Sequence, residues 1–430
     1  MRDWDAARVG AAAGGSLVRA GAAAGGPARV VIDSRAIAPG DLFVALPGER
    51  ADGGRFAAEA LAAGAWGVLV APSWAEDLSG GAIIAAGDPL AALGSLARAW
   101  RRTLGAQVIA VTGSVGKTST KDLLAALVAP HRTVAASRAN FNTEIGLPLE
   151  LLAAPPGTDV LVLELAMRGF GQIAELAAIC EPDVGVITNL GPVHLEQMGS
   201  LEGVARAKAE LLEGMRDGAV AVVPVDEPRL DPWLRDGLQV VRFGAWAGDP
   251  PLGVPFSSPH QLRNLGAAVA AARAVGVEPS GPVEVRFSAL RGERVALALG
   301  ATVINDCYNA NPLSMRAALD DLARQETSGR RVAVLGDMLE LGPGEREEHR
   351  AVGAYAAHAG VELLVAVGPR SEAMLEGFGP GRSVSVPDAA AAAAVARELV
   401  VPGDTILVKA SRGVGLERVA EALVAMEAVG

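Results

Sequence analysis

The chain has 430 residues, 50% of them hydrophobic and 20% charged, with a formal net charge of −11. That length suits two or three domains, and no apolar stretch reaches the roughly 20 residues that span a bilayer. The acidic balance argues against a nonspecific nucleic-acid binder, which carries a basic stripe, and Cys180 and Cys307 offer neither a disulfide framework nor a CxxC zinc pair.

From the start, Met1-Arg2-Asp3-Trp4-Asp5 carries acids where a signal peptide carries net positive charge, and Arg19 interrupts the one apolar region. A soluble, cytoplasmic protein is expected. Short Val/Ile/Leu runs then alternate with Ala/Leu-rich helical stretches, the rhythm of βαβ units around a mostly parallel sheet. Strands are expected at 30–33, 67–71, 108–112, 160–164, 184–188, 220–223, 332–335, 363–367 and 405–408, because buried parallel strands read as continuous apolar runs. Three blocks follow: a small α/β unit over 1–85, a central block over 86–304, and a third over 305–430 that restarts the β/α rhythm. The Ala-rich run 389–394 reads as ordinary helix.

Val108-Ile109-Ala110-Val111-Thr112 leads directly into Gly113-Ser114-Val115-Gly116-Lys117-Thr118-Ser119, and a helical stretch follows with leucines at 123, 124 and 127. A strand, a glycine turn and a helix N-terminus make an anion cradle of converging N–H groups. In such a cradle Lys117 would neutralise the β- and γ-phosphates of a nucleotide and the Thr118 hydroxyl would ligate Mg²⁺; the competing reading is a glycine-rich turn that happens to precede Lys and Thr. Val111 stands where the long form of this motif has glycine, so the match is to the short GxxGK[ST] form. Glu164 ends an apolar strand. Taken alone it reads as a cap or a salt-bridged residue, and beside the phosphate loop it reads as a Mg²⁺ ligand. His194 lies in a loop at a strand's C-terminal edge, open to either a surface or a metal-ligating role. Lys208 lies on a helical stretch, where a lysine by itself faces solvent.

In this order, the phosphate loop, Glu164, His194 and Lys208 resemble the Mur ligase superfamily of ATP-dependent amide-bond-forming enzymes. Further motifs carry the likeness across all three blocks. Asp33-Ser34-Arg35 and Pro39-Gly40-Asp41-Leu42-Phe43-Val44-Ala45-Leu46-Pro47-Gly48 are similar to its uridine-nucleotide-binding segment. Asn140-Phe141-Asn142-Thr143-Glu144-Ile145-Gly146-Leu147-Pro148 is similar to the loop after the first ATPase helix. Asn305-Asp306-Cys307-Tyr308-Asn309-Ala310-Asn311-Pro312 and Gly336-Asp337-Met338-Leu339-Glu340-Leu341-Gly342 narrow it to the members that add D-alanyl-D-alanine to UDP-N-acetylmuramoyl-tripeptide.

The resemblance implies three domains: N-terminal α/β, central P-loop ATPase, and C-terminal Rossmann-like. It implies that Gly113, Ser114, Val115, Gly116, Lys117, Thr118 and Ser119 bind ATP phosphates, that Asn264 contacts adenine, and that Arg291 and Asp306 reach the γ-phosphate and ribose. Thr118 and Glu164 would hold one Mg²⁺, and His194 with a carbamylated Lys208 a second. Ser34, Arg35 and Gly48 would bind the UDP substrate. Asn309, Asn311, Asp337 and Arg412 would close on D-alanyl-D-alanine. A monomer is expected, acting through an acyl phosphate in peptidoglycan precursor synthesis, without nucleic acid or membrane insertion. Three departures stand out: Gln261 where the family has Asn after His260, Ala166 where glycine is common, and a short Gly/Pro/Ser tract over 243–260. Two other readings compete, another amino-acid ligase of the superfamily and a non-catalytic nucleotide-binding regulator that keeps the fold. The 308–312 and 336–342 motifs argue against the first, and the intact metal-site residues against the second.

Overall fold

A strand that is apolar on both faces needs cover on both, and each of the nine expected runs holds a strand with neighbours in a sheet. The computed structural model describes the chain except residues 23–24, 49–50, 139, 247–251, 255, 299 and 426–430. The glycine and prolines of the short tract at 248–251 therefore lie outside the described residues. The first expected strand shrinks to Val30–Val31. Asp33 ends it by accepting the Arg35 N–H and opening the 3-10 turn Ser34–Ala36.

The central sheet has six parallel strands in the order Gln239–Phe243, Val220–Pro224, Val184–Ile187, Gln107–Thr112, Val160–Glu164 and Val134–Ala136. Val111 lies opposite both Glu164 and Val186. The chain leaves Gln107–Thr112 toward one edge and later returns on its other side, so the strand order reverses there. Such a switch opens a crevice at the strands' C-terminal ends. Residues alternate across the sheet: Ile109 and Val111 pack under the helices Lys117–Val128 and Pro259–Ala274. Val108 and Ala110 face the opposite core with Leu93, Leu96 and Leu211.

That second core runs on into the N-terminal unit through Val9, Leu42 and Ile84. Trp4 meets Trp100 of the Pro89–Leu104 helix edge to face, with ring centroids 5.6 Å apart. The N-terminal sheet orders Ser16–Arg19, Ala82–Ala85, Gly67–Val70, Leu42–Val44 and Val30–Val31, with only its first pair antiparallel.

The third sheet orders Glu293–Ala296, Thr302–Asn305, Thr405–Lys409, Arg331–Gly336, Leu363–Val367 and Arg382–Val386. It therefore begins at Glu293, ahead of the expected break between 304 and 305. The hairpin strand Glu293–Ala296 is largely exposed, so it lacks the apolar signature of its neighbours. Among the described residues no helix is long and apolar enough to cross a membrane.

Candidate active site

Strand Gln107–Thr112 delivers the chain into a loop that only glycine can shape. Gly113 and Gly116 have φ of 147° and 78°, a region that disfavours residues with a Cβ. A Cβ on Gly113 would overlap the Thr188 hydroxyl, and one on Gly116 the Asn264 amide. The neighbouring strand end clamps the loop: Asn189 accepts the Val115 N–H at 2.9 Å and donates to the Val115 carbonyl at 2.9 Å. Thr188 also donates to that carbonyl, at 2.7 Å. The first-turn N–H groups of Lys117–Val128 have no partner within their own helix, so they are free for an anion.

Lys117 Nζ lies 2.9 Å from the Gly113 carbonyl. Burial lowers its pKa, Glu164 opposes that shift, and Arg291 adds to it. Glu164, only 2% exposed, accepts from the Thr118 hydroxyl at 2.7 Å and from the Asn142 amide at 2.8 Å. Arg291 donates to Thr118 Oγ1 at 3.1 Å, and its guanidinium lies 3.9 Å from the Tyr308 ring centroid. Leu290, beside it, has a left-handed backbone with φ of 62°. These groups share one cleft of about 1330 Å³ with His194, Lys208, Asn264 and Asp306.

Lys208 corrects the solvent-facing expectation for a helical lysine. On Leu201–Glu213 it falls four residues from both Val204 and Leu212, on the buried face, and is itself 2% exposed. Burial and the nearby Lys117 hold its pKa well below the ordinary lysine value. His194, at φ of 51°, meets Glu340 of the third domain at 2.6 Å. Burial lowers its pKa and Glu340 opposes that.

Among the described residues, no cluster of three or more His, Cys, Asp or Glu side chains could hold a metal ion. Mg²⁺ asks for less, because it takes one or two carboxylates together with substrate phosphates and water. Glu164 and the Thr118 hydroxyl, at the mouth of the phosphate loop, are a donor set of that kind.

The third domain adds its own strand ends. Lys409 Nζ, nearly buried, binds the Asp306 carboxylate at 2.6 Å and the Asn309 carbonyl at 2.9 Å. Arg412 reaches the cleft and lies 3.3 Å from Glu417. Asn311 also lines it, yet its side chain is spent capping Pro312–Arg324 in a reciprocal box with Ser314. Asp337 is not among the cleft-lining residues. It is buried and accepts the N–H groups of Arg370 and Ser371 at 3.1 and 2.7 Å. Ser34, Arg35 and Gly48 lie in the N-terminal unit, also outside this cleft, with Arg35 paired to Asp33 at 2.8 Å. Gln261 lines the cleft and accepts from the Ser258 hydroxyl at 2.9 Å. Sequence reasoning assigned no role to Asn142, Tyr308, Glu340 or Lys409. All four lay inside motifs it singled out, Lys409 at the start of the Lys409-Ala410-Ser411-Arg412-Gly413 segment that carries Arg412.

Residues 111–250 match the family model of the Mur ligase middle domain. Residues 290–412 match that of the Mur ligase glutamate ligase domain, and residues 28–100 that of the Mur ligase family catalytic domain. The UDP-N-acetylmuramoyl-tripeptide–D-alanyl-D-alanine ligase of Bacillus subtilis is 34% identical over 423 residues, covering 92% of this chain and 93% of that protein. The enzyme of the same name from Mycobacterium tuberculosis is 39% identical over 477 residues, covering 93% of each. The structure of MurF from Acinetobacter baumannii matches with a TM-score of 0.86 at 29% identity, over 98% of this chain and 99% of that one. MurF from Thermotoga maritima in complex with ADP gives 0.81 at 28% identity, over 93% and 98%. With a family model on each of the three large sheets among the described residues and relatives matched over nine-tenths of their length, the chain belongs to the Mur ligase family.

Proposed function

We propose that the chain is an ATP-dependent ligase that joins D-alanyl-D-alanine to UDP-N-acetylmuramoyl-tripeptide, the last cytoplasmic addition in peptidoglycan precursor synthesis. One observation carries this reading. The phosphate loop with Lys117, Thr118 and Glu164 faces the Asp306, Asn309 and Arg412 segments of the third domain across a single cleft, in a chain aligned almost throughout with ligases of that name.

The terminal carboxylate of the tripeptide attacks the γ-phosphorus of ATP, the bond to ADP breaks, and an acyl phosphate forms. The dipeptide amine then attacks the acyl carbon, phosphate leaves, and the nitrogen gives up a proton. Phosphoryl transfer needs positioning and charge neutralisation more than covalent help. Lys117 supplies a positive charge at the β- and γ-phosphates. Arg291, held on Tyr308 and Thr118, supplies a second that needs no rearrangement during reaction. The acyl phosphate hydrolyses in water, so the third domain serves by covering it. Thr118 with Glu164, and His194 with Lys208, would hold Mg²⁺, which would add charge neutralisation to that of Lys117 and Arg291.

For that role Lys208 must become an oxygen donor. Its burial and lowered pKa favour the neutral amine, which adds to CO₂ and loses a proton to give a carbamate. Lys208→Ala is then inactive and regains turnover with a short carboxylate such as acetate, whereas absence of any rescue counts against the carbamate.

We assign the uridine nucleotide to residues 1–85 through Ser34, Arg35 and Gly48, ATP to 86–304 with Asn264 at adenine, and the dipeptide to 305–430. In that third domain Asp306 serves the ribose, and Asn309 and Arg412 the dipeptide, while Asn311 and Asp337 brace the loops from behind. The enzyme acts in the cytoplasm, as a monomer. Phosphate release from ATP and Mg²⁺, with each co-substrate omitted in turn, tests the reading. Release that requires both the tripeptide nucleotide and D-alanyl-D-alanine, and disappears in Lys117→Ala, is expected. Release indifferent to the dipeptide overturns it.

A further inference from the structure

Glu340 belongs to the third domain, yet its carboxylate lies 2.6 Å from Nδ1 of His194 in the second. The loop that carries it is held from behind. Met338 donates its N–H to His349 at 2.9 Å, and Leu339 donates to the Ser411 hydroxyl at 3.0 Å. Asp337 ties the same loop to the N–H groups of Arg370 and Ser371. Both ends of the contact adopt left-handed backbone, with φ of 51° at His194 and 64° at Glu340. Outside glycine such a conformation is strained and persists only where the surroundings impose it. The side chains are 24% and 43% exposed, so the pair adds little to stability on its own account.

What the contact does fix is the imidazole. With Nδ1 occupied by a carboxylate, the ring orientation is set and Nε2 is the nitrogen left for a ligand. A carboxylate behind a metal-binding imidazole is the usual way proteins orient that ring. Here the carboxylate comes from another domain, 146 residues along the chain. Gly342, with φ of 69°, brings the same loop against Glu196, two residues after His194.

We propose that Glu340 is a positioning residue acting through His194, so that the cation site assigned above to His194 and Lys208 is complete only when the third domain is docked on the second. The proposal rests on the ligase reading. Its consequence is a safeguard: ATP is committed only once the domain that brings the amine is in place, which limits loss of the acyl phosphate to water.

The test uses the full chain, with Mn²⁺ as the probe, counted by paramagnetic resonance in the presence of a non-hydrolysable ATP analogue and UDP-N-acetylmuramoyl-tripeptide. Glu340→Ala is expected to weaken the Mn²⁺ at His194, one of the two expected, by about 10- to 100-fold. Glu340→Gln weakens it less, because its amide oxygen still accepts from Nδ1–H. In His194→Ala that ion is lost, and adding Glu340→Ala brings no further loss, as expected for two residues acting as one unit. In turnover, Glu340→Ala lowers kcat and leaves the KM for ATP unchanged, with the unfolding midpoint preserved. Wild-type Mn²⁺ affinity in Glu340→Ala, or losses that add in the double variant, overturns the proposal. If Glu340→Ala does not fold, Glu340→Gln decides, and an unchanged affinity there overturns it equally. A wild-type chain without dipeptide-dependent phosphate release, but with these Mn²⁺ losses, sinks the ligase reading and leaves the role of Glu340 standing.

Discussion

Replacing Glu164 by glutamine separates the charge at the centre of the site from the packing around it. The carboxylate is buried and accepts from the Asn142 amide at 2.8 Å and the Thr118 hydroxyl at 2.7 Å. Glutamine keeps the shape, and its carbonyl oxygen still accepts from Asn142. Its NH₂ can donate to Thr118 Oγ1 once that hydroxyl turns its own proton away, so the stability change should stay within about 1 kcal/mol, the net worth of one hydrogen bond. The negative charge beside Lys117 and the oxygen proposed to bind the cation are lost. Removing one preorganised group that stabilises transition-state charge typically costs about 100- to 1000-fold in rate. Dipeptide-dependent phosphate release should fall by at least that factor while urea unfolding stays near wild type. Glu164→Ala should lose activity as well and also destabilise, because the Asn142 amide is left buried without an acceptor, at about 1–3 kcal/mol. A Glu164→Gln protein that keeps its rate within about tenfold of wild type refutes this account of the site.

Asp337→Ala should destabilise the third domain by about 1.5–3 kcal/mol for each of the bonds to Arg370 and Ser371 N–H. Asp337→Asn should recover part of that loss in urea unfolding. Wild-type stability together with a raised KM for the dipeptide would instead make Asp337 a substrate contact. His349 is wholly buried and accepts the Met338 N–H on Nε2 while Nδ1 faces the Glu345 carbonyl at 2.6 Å. Burial holds its pKa below the ordinary value of 6.5, so the unfolded chain takes up a proton there first. Its contribution to stability is therefore complete above about 6.5 and shrinks as pH falls from there toward the depressed native value. His349→Gln should lose less stability than wild type between about pH 7 and about pH 5, measured by urea midpoint, and an identical pH slope counts against that assignment.

The glycine loop of the candidate phosphate site was legible because its pattern is local. Strand, glycine turn, Lys117 and helix follow one another without interruption, and the backbone they dictate is the one observed. The parallel strands were legible for a similar reason, since burial on both faces leaves continuous apolar runs. Lys208 was not legible from its own surroundings. Its neighbours at 206 and 210 are charged, and only the packing of Val204 and Leu212 shows which way that helix turns. Glu293–Ala296 was missed because an exposed edge hairpin carries no core signature. The partners of Glu340 and Asp337 depend on how distant strand ends meet, which no local pattern encodes. Asp337 and Asn311 lay in motifs assigned to the site, but the structure spends their side chains on holding loops and a helix start.

In the proposed reaction a carboxylate is activated by phosphoryl transfer within this cleft, and an isotope follows that step directly. UDP-N-acetylmuramoyl-tripeptide labelled with ¹⁸O in its terminal carboxylate is turned over with ATP and D-alanyl-D-alanine, and the released phosphate is analysed by mass. An acyl phosphate predicts that each phosphate carries one oxygen from the peptide. Phosphate whose new oxygen comes from water, at undiminished turnover, would contradict the account.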